Sequence, residues 1–167
     1  KHLIRKVTEL EKKVDELKPV EKAYTLSHDA SGDVYIESAQ DLVKKMKENQ
    51  WGRIINIASL QSLRAFDNSI PYGASKGGVM QLTRALAQAY SKNGILVNAI
   101  APGFFHTKLT ESLFQDPEKL KVLAAKTMMN RNGEEEDLFG ISVFLCSDAN
   151  SYITGQTIFL DGGFSAQ

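Results

Sequence analysis

Gly52-Arg53-Ile54-Ile55-Asn56-Ile57-Ala58-Ser59 is the stretch on which the fold turns. Ile54–Ile57 is a short apolar run of strand type, flanked by Gly52 and a Ser-rich loop. Downstream the chain predicts a long helix over 72–92, opened by Pro71 and stopped near Asn93-Gly94. Ile95 to Ile100 reads as a second buried strand, and Pro102-Gly103 breaks the chain after it. Two helical stretches follow, about 107–129 and 134–146. The second begins with Glu134, Glu135, Glu136 and Asp137, whose charges suit the positive end of a helix dipole. Gly155 precedes a last strand, Gln156 to Leu160, and Asp161-Gly162-Gly163 closes it with a turn. Continuous apolar strands separated by helices predict an α/β fold, a parallel sheet covered by helices on both faces.

Upstream, residues 34–49 read as a helix with Ala39, Leu42, Val43 and Met46 on one face. Residues 1–18 carry no Gly or Pro, and Leu3, Val7, Leu10, Val14 and Leu17 form a heptad seam. The seam covers only about two and a half heptads, short of a sustained coiled coil. An amphipathic helix packed on the domain's own core is therefore preferred to self-association. Pro19 ends it. Val20 to Leu26 fits a short strand or a further helical turn equally well.

The chain of 167 residues is 43% hydrophobic, with Lys+Arg 20 against Asp+Glu 20. One domain of this size buries a real core. Zero net charge gives no global attraction to nucleic acid or to an anionic membrane. No apolar run reaches the roughly 18 residues of a spanning helix, and the charged N-terminus is no secretory signal. A cytoplasmic protein is expected. One cysteine, Cys146, excludes an internal disulfide, and its apolar neighbours Val143, Phe144 and Leu145 favour packing over reactivity. His2, His28 and His106 have no ligand spacing, so no metal site is expected.

Tyr72 and Lys76 lie four apart near the start of the long helix, which stacks them on one face. A free phenol ionises near pH ~10, too high for acid–base work at neutrality. An ammonium one helical turn away, or a helix N-terminus, favours the phenolate form. Taken alone, this pair is more often a half-buried Tyr beside a solvated Lys. Its context changes the odds. Ser59 ends the first strand thirteen residues before Tyr72, and side chains at the C-terminal ends of parallel strands face the ligand crevice.

The ordered set Gly52–Ser59, Tyr72-Gly73-Ala74-Ser75-Lys76, Val97–Gly103 with Thr107, Ile153-Thr154-Gly155-Gln156 and Asp161-Gly162-Gly163 strongly resembles the short-chain dehydrogenase/reductase family, over about residues 34–167. The resemblance implies a Rossmann-like three-layer α/β fold, here truncated, with residues 1–33 as an N-terminal helix and connecting segment. It implies an NAD(P)-dependent oxidoreductase that moves hydride between nicotinamide and an alcohol or ketone. Tyr72 resembles the general acid/base and Lys76 the residue that favours the phenolate and holds the nicotinamide ribose. Ser59 resembles the donor to the substrate oxygen. Pro102, Gly103 and Thr107 resemble the loop that grips the nicotinamide end of NAD or NADP. The motifs Ala58–Ser62 and Ile100–Phe105 look like the gluconate 5-dehydrogenase type, which implies a polyol or sugar acid ahead of a 3-oxoacyl thioester or another small ketone. The family also implies a homodimer or homotetramer built on 34–49, 72–92 and 156–164.

Other parts of the family pattern are absent. The first glycine is Gly32, so no Gly-rich phosphate turn precedes Tyr72. One βαβ unit needs roughly thirty residues, and the 53 residues before Ile54 cannot hold the family's first four strands with their helices. The family's catalytic Asn has no counterpart: Asp29-Ala30-Ser31-Gly32 resembles its setting without an Asn. Two expectations follow. The 167 residues alone should not turn over a nicotinamide cofactor, and the strand Ile54–Ile57 should need the N-terminal segment or another chain to cover its edge. The competing reading is a non-catalytic interaction or structural protein derived from a dehydrogenase half.

Overall fold

The computed structural model describes residues 24–26, 42–67, 69–107 and 110–167. Four parallel strands lie in the order β1-β2-β3-β4: β1 Tyr24–Leu26, β2 Gly52–Ile57, β3 Ile95–Pro102 and β4 Thr157–Leu160. The helices are α1 (described over 42–49), α2 Ile70–Tyr90, α3 Glu111–Phe114, α4 Pro117–Ala125 and α5 Asp137–Cys146.

The two central strands are buried along nearly their whole length, which is why they read as continuous apolar runs. Their side chains still alternate. Ile54, Ile95 and Val97 pack with Ala87 of α2 and Met46 of α1 on one face. Ile55 and Ile100 pack with Leu145 of α5 on the other. These are the three layers expected from the sequence. Toward the C-terminal ends of the strands the α2 face narrows to Ala58, Ala99 and Ala101, against Val79. Small side chains there let the first half of α2, with Tyr72 and Lys76, come close to the sheet.

Within the stretch Val20 to Leu26, the described residues Tyr24–Leu26 form a strand. Tyr24, Thr25 and Leu26 pair in parallel with Ile54, Ile55 and Asn56, so the edge of β2 that needed cover receives it from the N-terminal segment. The heptad seam and the Asp29–Gly32 segment lie outside the described residues. The stretch 107–129 is not one helix. Asp116 caps α4 by accepting from the Lys119 backbone N–H, with Pro117 in its first turn, and a proline there starts a helix more readily than it continues one. Strand β3 runs two residues further than Ile100, to Pro102.

Two buried polar devices hold the layers in register. Asn98 is fully buried; its Nδ2 donates to the Ile153 carbonyl at 2.8 Å, and its Oδ1 accepts from the Gln156 N–H at 3.1 Å. Asn56 Nδ2 donates to Thr83 Oγ1 at 2.9 Å, tying β2 to α2. The turn into β3 requires Gly94. Its φ is +74°, and a Cβ would sit 1.9 Å from the Gln50 carbonyl oxygen.

Candidate active site

Ser59 lies just past the C-terminal end of β2, Lys76 reaches that strand end through the Ile57 carbonyl, and Tyr72 lies beside Lys76. Ser59 follows the strand by two residues and caps the short 3-10 turn Leu60–Ser62. Its Oγ accepts the Gln61 N–H at 3.2 Å. That bond uses a lone pair, so the hydroxyl proton stays free to be donated elsewhere. Tyr72 and Lys76 sit in the first two turns of α2, with Pro71 at the helix start as the sequence predicted. Tyr72 and Lys76 are both half-buried.

The Lys76 ammonium lies over the Tyr72 ring, 5.7 Å from its centroid, within the range of a cation–π contact. Lys76 Nζ also donates to the Ile57 carbonyl at 2.7 Å. An ammonium has three donors, and this bond occupies one. Burial pushes the Lys76 amine below the ordinary lysine range, because a low-dielectric setting disfavours the charged form.

Pro102 and Gly103 close the neighbouring strand. Ala58 N–H donates to the Ile100 carbonyl at 2.8 Å, which brings the Ser59 turn beside the end of β3. Gly103 N–H donates to the Leu160 carbonyl at 2.9 Å. A Cβ at Gly103 would lie 2.8 Å from the Cα of Asp161, so glycine is required by close approach of two backbones. Thr107 is exposed and engages Thr110, whose Oγ1 accepts its N–H at 2.9 Å and lies 3.1 Å from its hydroxyl oxygen. His106 stacks against Phe114 with ring centroids 4.8 Å apart.

A cavity of about 140 Å³ is bounded by Phe104, Arg131, Asp137 and Asp161 and by none of Ser59, Tyr72 or Lys76. The acidic run before α5 does more there than oppose a helix dipole. Asp137 accepts from Arg131 Nη1 at 2.6 Å and Nη2 at 2.7 Å, and from the Glu134 N–H at 2.9 Å. Sequence reading missed this pair, because Arg131 is contributed by the preceding loop. Cys146 packs against the Ile55–Leu145 cluster, and burial pushes its thiol up. Among the described residues no group of three or more His, Cys, Asp or Glu could hold a metal ion.

The family model described as Enoyl-(Acyl carrier protein) reductase matches residues 7–165. The 5-keto-D-gluconate 5-reductase of Escherichia coli K12 is 39% identical over 125 residues, 75% of this chain and 49% of that protein. The chain belongs to the short-chain dehydrogenase/reductase family. Other short-chain dehydrogenase/reductase relatives include the gluconate 5-dehydrogenase of Gluconobacter oxydans, 39% identical over 126 residues, 75% of this chain and 49% of that one. The crystal structure of a gluconate 5-dehydrogenase from Burkholderia cenocepacia, in complex with NADP and tartrate, superposes with a TM-score of 0.77 at 30% identity. That match covers 96% of this chain and 72% of that one. The chain spans about half the length of the curated short-chain dehydrogenase/reductase relatives it matches.

Proposed function

We propose that this chain supplies the catalytic half of an NAD(P)-dependent oxidoreductase that interconverts a ketone and a secondary alcohol, with a sugar acid as substrate. The observation that carries the reading is the place of Lys76, against both the Tyr72 ring and the end of the strand that leads to Ser59.

The chemistry follows from the groups present. Reduction of a ketone builds negative charge on its oxygen, and the Ser59 and Tyr72 hydroxyls are donors to that charge. Tyr72 gives its proton to the oxygen, and in the reverse direction takes it from the alcohol. Lys76 adds positive charge in a half-buried setting, where it acts more strongly than in water. Its two remaining N–H donors suit the hydroxyls of a ribose. Pro102 and Gly103 form the neighbouring wall on the nicotinamide side. When bound, the nicotinamide cofactor supplies or accepts the hydride. The residues present fit its nicotinamide–ribose end, and the described residues hold no glycine-rich turn for the pyrophosphate. The relatives named for 5-keto-D-gluconate and gluconate support the sugar-acid class, and the neighbour bound to NADP supports the cofactor class. A homodimer or homotetramer is part of the same proposal. No helix among the described residues is long and apolar enough to cross a membrane.

The test is reduction of 5-keto-D-gluconate by the protein isolated from its own source, with NADH and NADPH compared. Cofactor oxidation that depends on the keto acid supports the reading. Binding of neither cofactor, with no oxidation, favours the non-catalytic interaction protein.

A further inference from the structure

The turn after β2 is tied to the helix carrying Tyr72 and Lys76 by two polar links. Ser62 makes the first. Its Oγ accepts the Ser59 N–H at 3.3 Å and donates to the Lys76 carbonyl at 2.7 Å. Gln61 makes the second. Its N–H donates to Ser59 Oγ, and its side-chain Oε1 accepts from Ser69 Oγ at 2.6 Å. Ser69 is the residue at which α2 begins, and its carbonyl takes the first helical bond, from the Gly73 N–H at 2.9 Å. The Gln61 side chain passes over that first turn, with Oε1 3.6 Å from where a Cβ at position 73 would be. Leu60, between Ser59 and Gln61, is buried and anchors the turn.

Ser59 is thus fastened to α2 on both sides of Tyr72, three residues before it through Ser69 and four after it through Lys76. We propose that Gln61 and Ser62 are positioning residues, which set the Ser59 hydroxyl relative to Tyr72 and Lys76. This inference rests on the reaction proposed above. The links consume the Ser59 N–H and one Oγ lone pair, and they spare the hydroxyl proton for a substrate oxygen. Orienting that proton is a rate effect, because a misplacement of about 1 Å costs up to ~10²-fold.

The test compares Ser62→Ala, Ser62→Thr, Gln61→Met and Ser59→Ala in the protein from its own source, with 5-keto-D-gluconate and both reduced cofactors. Ser62→Ala and Gln61→Met are expected to lower kcat ~10-fold or more while KM for the cofactor holds. Ser62→Thr, which keeps the oxygen, is expected to recover most of the loss. Ser62→Ala added to Ser59→Ala is expected to cost nothing further, since a positioning group acts only through the group it positions. An unchanged kcat, an additive loss in the double variant, or no recovery in Ser62→Thr overturns the proposal. Failure of Ser59→Ala and Tyr72→Phe to lower kcat overturns the reaction itself, a different result. Amide hydrogen exchange at Ser59 gives a readout without turnover. It is expected to quicken ~10-fold in Ser62→Ala and to stay slow in Ser62→Thr; equal protection in all variants overturns the proposal whether or not substrate is turned over.

Discussion

Lys76 Nζ donates a 2.7 Å hydrogen bond to the carbonyl of Ile57, the last residue of β2. The helix and the strand are thereby joined at the point where both reach the site. The sequence shows Lys76 one helical turn from Tyr72; this bond adds that the amine also reads the end of the sheet. One side chain thus ties the Tyr72 helix directly to the end of the strand that leads to Ser59.

Tyr72→Phe keeps the ring and its contact with Lys76 and removes the proton. We expect kcat for ketone reduction to fall ~10²-fold or more, the scale of general acid–base catalysis, with the melting temperature unchanged. Steady-state kinetics on the protein from its own source checks it. Near-normal turnover would remove Tyr72 from the chemistry.

Asp137 is held at about 2, mainly by the side-chain hydrogen bonds from Arg131 and then by the Glu134 N–H. An unfolded aspartate titrates near ~3.9. A carboxylate whose folded value is the lower one contributes its full stability above the unfolded value and loses it as pH falls through the folded one. The loss is therefore expected between about pH 4 and about pH 2. Solvent weakens the pair, because the Arg131 side chain is 41% exposed. Melting temperatures across that window should fall more steeply for the native chain than for Asp137→Asn. Parallel curves would show that the pair contributes nothing.

Asn98→Leu should be costly. It leaves the Ile153 carbonyl and the Gln156 N–H without the side chain that now serves both, and each buried unsatisfied group costs roughly 1–3 kcal/mol. Denaturant unfolding measures the difference. A loss below ~0.5 kcal/mol, the range of ordinary surface changes, would show that water replaces the amide.

Self-association is expected through α1 and α2. Ile70 and Leu82 of α2 are 82% and 48% exposed, more apolar surface than a helix with one covered face needs. Light scattering at micromolar concentration should give a dimer or larger. A monomer would count against this interface.

The sequence determined the parallel sheet, because β2 and β3 are buried on both faces and such strands are mostly apolar. It also put Tyr72 and Lys76 on one face of a helix, since helical spacing stacks residues four apart, and Ser59 just past a strand end. Asp116-Pro117 was a legible start signal for α4, and reading 107–129 as one helix passed over it. Only tertiary structure decided the rest. Tyr24–Leu26 is too short for its own preferences to choose strand over helix, and pairing with Ile54–Asn56 chose for it. The links from Ser62 to Lys76 and from Gln61 to Ser69 join positions 14 and 8 apart in sequence. The bonds of Thr107 to Thr110 are likewise set by the folded loop. Spacing along the chain fixes which side chains share a face of one element. Which groups meet across elements depends on how closely those elements pack, and here three alanines, at 58, 99 and 101, let the helix down onto the sheet.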